Sequence, residues 1–260
     1  MSIIFRLLRL LIILLVLAVV LYGAACVLLL VFQRSLIYFP QPRTMGGAST
    51  VIELTQPDAM IMVSVRPHVG PNALIYFGGN GEDVSLNLVP FSQAFPDQAL
   101  YFLHYRSFGG SSGLPSEEAI ERDAQALYDK VSEDHSHITL IGRSLGSSVA
   151  LHLASERTAS SLILITPYNS LLELAEDHLP YLPVKWLLRD TFESWRYAPA
   201  ITLPTLLIAA QNDELIPRRS TDALLSHFKP GVASLKVIAG KDHNTLSDSP
   251  EYLKLIGSGL

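Results

Sequence analysis

The chain has 260 residues, 49% of them hydrophobic, and a formal net charge of −5. That length suits one domain with a short extra segment, and the acidic balance without any basic block gives no reason to expect a nucleic-acid partner. One cysteine, Cys26, excludes an internal disulfide and any zinc site built from several thiolates.

The apolar excess is concentrated at the N-terminus. From Leu10 to Phe32 no residue is charged, and as a helix this stretch would run roughly 34 Å, enough to cross a hydrocarbon core of about 30 Å. It is too long for the h-region of a cleaved signal peptide. Small residues before Cys26 raise a lipoprotein-type cleavage, but the apolar run from Val27 to Phe32 would then follow the lipid directly, unlike a solvated N-terminus. The expectation is a retained single-pass anchor: 1–34 as tip and transmembrane helix, 35–50 as linker, 51–260 as the main domain. Arg6 and Arg9 precede the span, and the positive-inside rule then places the domain on the non-cytoplasmic side. Prolines and glycines in the linker read as a short tether that keeps the domain near the bilayer.

After the anchor, short apolar runs alternate with helical patterns. Residues 60–65, 73–77, 100–105, 138–141, 162–165, 205–209 and 235–238 read as strands. Residues 117–131, 145–154 and 220–228 read as helices, the first carrying Ile120, Ala124, Leu127 and Val131 at helical spacing after Pro115-Ser116. Alternating strands and helices predict an α/β domain whose mostly parallel central sheet is covered on both faces. Continuous apolar strands such as Leu162-Ile163-Leu164-Ile165 fit burial on both sides.

Gly142-Arg143-Ser144-Leu145-Gly146 spells G-x-S-x-G between the strand at 138–141 and the helix at 145–154. In such a turn the serine sits in a strained conformation with its hydroxyl above the sheet, and flanking glycines let strand and helix approach closely. Ser144 is therefore the candidate nucleophile. A serine hydroxyl needs a base, and the base needs an orienting carboxylate. His152, His178 and His227 fall in helical patterns, whereas His243 follows the last strand through Ala239-Gly240-Lys241-Asp242, at the carboxyl end where catalytic groups gather. His243 is the candidate base. Asp213 and Glu214 both follow the strand at 205–209; Asp213 is preferred because Glu214 points the other way in an extended loop. Asp242, adjacent to the histidine, and Asp190 are weaker acids.

An oxyanion needs N–H donors. Leu145, directly after the nucleophile, should give one backbone N–H, and the glycine-rich loop Gly78-Gly79-Asn80-Gly81 the other, from Asn80 first and Gly79 next. That loop spells neither a dinucleotide fingerprint nor a P-loop. No cofactor and no metal are expected; His135 and His137 beside Asp134 are too sparse for a site.

Four stretches carry a resemblance: Phe77-Gly-Gly-Asn-Gly, the segment 105–117 with Phe108-Gly-Gly-Ser-Ser-Gly, Gly142-Arg-Ser-Leu-Gly-Ser, and Asn212-Asp-Glu-Leu-Ile-Pro together with Lys241-Asp-His-Asn. The sequence resembles α/β-hydrolase-domain proteins of the membrane-anchored, ABHD-like type, related to serine aminopeptidase-like domains. The resemblance implies the α/β-hydrolase fold and an insertion over the site at about 167–203. It departs where the family carries His-Gly and this chain has Gly78-Gly79. The expected activity is hydrolysis of carboxylic esters or thioesters, acyl lipids among them, through Ser144, Asp213 and His243. A serine peptidase and a catalytically retired, membrane-tethered binding protein are the alternatives. The expected partners are a small or lipid-like acyl substrate and a membrane; oligomeric state is not legible.

Overall fold

The computed structural model describes residues 3–45 and 50–260. Residues 1–2 of the N-terminal tip and 46–49 of the expected linker lie outside the described residues. Helix α1 (Ile3–Ile37) is followed by β1 (Val51–Gln56), β2 (Ala59–Arg66), β3 (Asn72–Phe77), α2 (Leu88–Ala94), β4 (Ala99–Leu103), α3 (Glu117–Ser132), β5 (His137–Arg143) and α4 (Leu145–Glu156). The remainder holds β6 (Ser161–Ile165), α5 (Leu171–His178), α6 (Val184–Leu187), β7 (Thr205–Ala210), α7 (Arg218–His227), β8 (Ala233–Ile238) and α8 (Tyr252–Ser258).

Among the described residues, eight strands form one sheet in the order β1-β2-β4-β3-β5-β6-β7-β8. β1 and β2 pair antiparallel, β2 meets β4 antiparallel, and from β4 to β8 every pair is parallel. Both faces are covered, and alternation along each strand divides the core in two. On one face Ile75, Leu140, Leu162 and Leu207 pack against α3, α4 and α7. On the other, Leu74, Tyr76, Ile141 and Ile163 pack under α2 and α8. Strand period of two sends neighbouring residues to opposite faces, so an uninterrupted apolar run serves both.

Helix α3 follows from its residues. Ser116 caps it by accepting from Ala119 N at 3.2 Å, Glu117 and Glu118 occupy its first turn, and Ile120, Ala124, Leu127 and Val131 are buried. Its Glu121 approaches His152 of α4, with Oε1 3.6 Å from Nδ1, too far for a hydrogen bond. Burial lowers the His152 pKa, so the pair is not a charged bridge near neutral pH. Burial, with Glu117, Glu118 and Glu156 nearby, raises Glu121 from its ordinary 4.5 to about 8. The folded chain therefore holds a proton that the unfolded chain has released, and stability falls as pH climbs from 4.5 to 8. Glu121→Gln removes that penalty: by thermal unfolding, Tm is expected to rise by roughly 3 °C or more at pH 8 and to stay unchanged at pH 4.

The N-terminal helix is 35 residues long, and its most apolar 18-residue window has a mean hydropathy of 3.0, so the helix is long and apolar enough to cross a membrane. Its end is not joined to the domain by a loose tether. Gln33 Nε2 donates to Leu187 O at 3.0 Å, and Arg189 N donates to Gln33 Oε1 at 2.6 Å. Arg34 Nε and Tyr38 Oη each donate to Asp190 Oδ2 at 3.0 Å. Burial, with the Asp190 carboxylate beside it, pushes the Tyr38 phenol far above its ordinary range. Residues expected as a short linker continue this docking: Phe39 N donates to Asn80 O at 2.8 Å, and Gly109 N to Gln41 O at 2.9 Å. Asp190, weighed above as an acid, is thus engaged with the helix end.

Candidate active site

Four loops meet at the carboxyl edge of the parallel part of the sheet: those after β3, β5, β7 and β8. Because β3 and β5 are neighbours, with Phe77 paired to Gly142, the glycine-rich loop and the serine turn are brought together directly. Ser144 has φ 51° and ψ −118°, a conformation that costs a non-glycine residue about 1–3 kcal/mol. Ser144 N donates to Ile165 O at 2.8 Å and Ser147 N to Ser144 O at 2.9 Å, which hold the turn in place. A Cβ on Gly142 would lie 2.1 Å from Gly146 O, and one on Gly146 would lie 2.1 Å from Phe77 O. The two glycines thus permit the approach that lifts the serine above the sheet edge.

The side chains expected from sequence converge. Ser144 Oγ lies 3.1 Å from His243 Nε2. His243 Nδ1 lies 2.8 Å from Asp213 Oδ2. With Nδ1–H donated to the carboxylate, Nε2 is left as an acceptor facing the hydroxyl. The other carboxylate oxygen, Asp213 Oδ1, accepts from Leu215 N at 3.0 Å and Ile216 N at 2.8 Å, so the acid is fixed at both ends. Glu214 is exposed. Asp242 is also exposed, and its Oδ1 accepts from Asn244 N and Thr245 N, each at 2.9 Å, shaping the turn that carries His243.

The oxyanion expectation divides. The N–H groups of Leu145 and Asn80 have no partner among the described residues, and both residues line the cavity at Ser144. Gly79 is a correction: its N–H donates to Glu82 Oε2 at 2.7 Å and is not available to a substrate.

Glu82 and Arg143 were not singled out from sequence. Glu82 Oε1 also accepts from Tyr76 Oη at 3.0 Å and Asn87 Nδ2 at 2.7 Å. Arg143 Nη1 lies 3.7 Å from that oxygen, and its Nη2 donates to His243 O at 3.3 Å. Burial works against the guanidinium charge, but the Glu82 carboxylate together with the Tyr76 and Tyr252 hydroxyls more than offsets it and raises the Arg143 pKa. The pair thereby ties the glycine-rich loop, the serine turn and the histidine loop into one unit. The available signal was position alone: Arg143 is the first variable residue of G-x-S-x-G, and Glu82 ends the glycine-rich loop.

Above these groups is a cavity of about 490 Å³. Leu171 and Leu174 of α5, Leu215 and Ile216, and Tyr168 give it apolar walls, and Leu36 and Ile37 of α1 close one side. His178, at the end of α5, also lies on the wall. His135, far from the cavity, has its ring engaged with Tyr101 Oη at 3.1 Å and Gly70 O at 2.8 Å.

No protein-family model matches the chain. Uncharacterized protein Rv2307c of Mycobacterium tuberculosis is 31% identical over 256 residues, which cover 92% of this chain and 89% of that protein. The alpha/beta hydrolase domain-containing protein WAV2 of Arabidopsis thaliana is 29% identical over 232 residues, covering 75% of each chain. This chain belongs to the α/β-hydrolase superfamily. Protein bem46 of Schizosaccharomyces pombe, 27% identical over 216 residues, covers 72% of this chain and 71% of its own length. Among solved structures, the esterase Pf2001 of Pyrococcus furiosus superposes with a TM-score of 0.65 at 17% identity, covering 85% of this chain and 96% of that one. Est1E of Butyrivibrio proteoclasticus, solved with ferulic acid, gives 0.62 at 16% identity, covering 80% and 95%. These two carry the same esterase-like α/β-hydrolase fold, and at such identity the likeness concerns the fold alone.

Proposed function

We propose that the chain is a membrane-anchored serine hydrolase that cleaves carboxylic esters or thioesters through an acyl-enzyme. The observation that carries this reading is the relay from Ser144 Oγ through His243 to Asp213, with separations of 3.1 and 2.8 Å. His243 Nε2 takes the hydroxyl proton as Ser144 Oγ attacks the acyl carbon. Asp213 holds the imidazole in the acceptor tautomer and stabilises the imidazolium. The N–H groups of Leu145, at the N-terminus of α4, and of Asn80, in the loop after β3, receive the charge that develops on the carbonyl oxygen as preorganised donors. On collapse, His243 returns the proton to the departing alcohol or thiol. A water then enters, gives its proton to His243 and attacks the acyl carbon; the acid leaves and Ser144 regains its proton.

The apolar walls formed by Leu171, Leu174 and Ile216 suit an acyl chain. The stretch Leu10–Phe32 would serve as the anchor, with Arg6 and Arg9 orienting its N-terminus to the cytoplasm and the domain to the other side.

A fluorophosphonate probe tests the central claim. The full-length native protein should be labelled and Ser144→Ala should not. An unlabelled native protein would overturn the reading in favour of a binding protein on the same fold. p-Nitrophenyl esters of increasing chain length then measure the acyl group that the cavity prefers.

A further inference from the structure

We infer that the cavity at Ser144 opens onto the lipid bilayer, so that its acyl ester arrives from the membrane and not from water. This rests on the hydrolase reading above and deepens it, by fixing where the substrate comes from. The first observation is the wall of the cavity itself. Leu36 and Ile37, the last two residues of α1, line the same space as Ser144 and His243. The uncharged stretch of α1 ends at Phe32, and Leu36 lies four residues on, about 6 Å along the axis. A hydrocarbon edge set near Phe32 therefore places the mouth in the headgroup layer.

The second observation is that this placement is rigid. Gln33 is only 2% exposed, on the side of α1 where Leu29 and Ile37 are also buried, and both ends of its amide are bonded to the backbone of Leu187 and Arg189. Asp190, 3% exposed, receives Arg34 and Tyr38. The domain cannot rotate about the end of α1 without breaking these bonds, so the bilayer meets one fixed face.

The third observation is what that face presents. Trp186, on α6, is 86% exposed, and Tyr181, just before α6, is 88% exposed. Trp186 precedes Leu187, whose carbonyl accepts from Gln33, so the indole stands at the depth of the helix end. Two large aromatics bare to water at that level are what the membrane interface accommodates, with the ring in the headgroup layer and the N–H or O–H toward water. Lys185 and Arg189, both exposed on either side of Trp186, match anionic headgroups. A bilayer satisfies the aromatics, the cations and the end of α1 together.

The test uses the full-length chain in vesicles of phosphatidylcholine and phosphatidylglycerol. The chain has two tryptophans, so the difference between native protein and Trp186→Phe isolates the Trp186 emission. Lipids brominated near the headgroup should quench it. In parallel, a Trp186→Ser, Tyr181→Ser double variant, which alters no residue of the cavity wall, should hydrolyse monooleoylglycerol in the vesicles about tenfold more slowly. Its turnover of dissolved p-nitrophenyl butyrate should remain within about twofold of native. An unquenched Trp186 would overturn the inference. So would equal losses on both esters, or undiminished hydrolysis in the vesicle. A native chain inert toward the dissolved ester strikes the hydrolase reading instead, while quenching still decides whether this face meets lipid.

Discussion

In His243→Ala, kcat for p-nitrophenyl butyrate is expected to fall about a million-fold, and in Asp213→Asn about ten-thousand-fold, with KM little changed in either. The alanine variant leaves the Ser144 hydroxyl with no group to take its proton. The asparagine variant acts differently. Its amide can donate to Nδ1, which turns the imidazole so that Nε2 carries the proton and faces the hydroxyl as a donor. Because the three groups act as one unit, the double variant should be no slower than His243→Ala alone. The loops should survive both changes: Asn212 N donates to Lys241 O at 2.9 Å, and Gly240 N to Gln211 Oε1 at 2.7 Å, independently of the two side chains. Arg143 holds the histidine loop by its backbone carbonyl, not by the ring. Unchanged circular dichroism alongside the lost rate is therefore part of the expectation. Steady-state rates within tenfold of native for His243→Ala would sink the proposed roles.

Much of the parallel sheet was legible because its strands are buried on both faces and read as unbroken apolar runs. The expected strands at 138–141, 162–165 and 205–209 fall inside β5, β6 and β7. β1 escaped notice for the opposite reason. It is an edge strand with intermediate and exposed positions, and Glu53, Thr55 and Gln56 hide its alternation of apolar residues. β8, at the other edge, was seen only from 235, because Ala233 and exposed Ser234 give its start no large apolar side chain. Helices α2, α5, α6 and α8 have 7, 8, 4 and 7 residues, too short for a 3.6-residue period to show. The expected end of β4 at Tyr105 was two residues late; Tyr105 O already accepts from Phe108 N in a turn.

The positions of Ser144, His243 and Asp213 were legible because chain order and strand ends constrain them strongly. Contacts across the chain were not. Glu82 and Arg143 stand far apart in sequence, and no local pattern pairs them. Gly79 and Asn80 look interchangeable as donors until the Glu82 carboxylate is seen to occupy Gly79 N–H. The glycines and prolines after α1 suggested a short tether, yet the bonds from Phe39 N to Asn80 O and from Gly109 N to Gln41 O seat residues 39–41 on the domain.

Gly146→Ala is expected to cost roughly 3–5 kcal/mol of stability, and the protein that still folds should turn over about 100-fold more slowly. The added Cβ would lie 2.1 Å from Phe77 O, 2.5 Å from Phe77 C and 2.6 Å from Gly78 O. All three are backbone atoms, which no rotamer change can move aside. Relief requires α4 to shift away from the end of β3, and that shift breaks the bond from Gly146 N to Gly78 O, now 3.1 Å. It also carries Leu145 N away from Asn80 N, separating the two donors proposed for the oxyanion. Alanine would otherwise gain about 0.4–1 kcal/mol by restricting the unfolded chain, so the net loss measures the clash. Gly79→Ala is the control for stability. Its Cβ would meet nothing nearer than Glu82 Oε2 at 3.6 Å and Ser144 Cβ at 3.7 Å, ordinary contacts that leave the folded state in place. Denaturant titrations that place Gly146→Ala beside Gly79→Ala would mean that β3 and α4 do not approach as described, and with them would go the geometric reason for a glycine on each side of the serine.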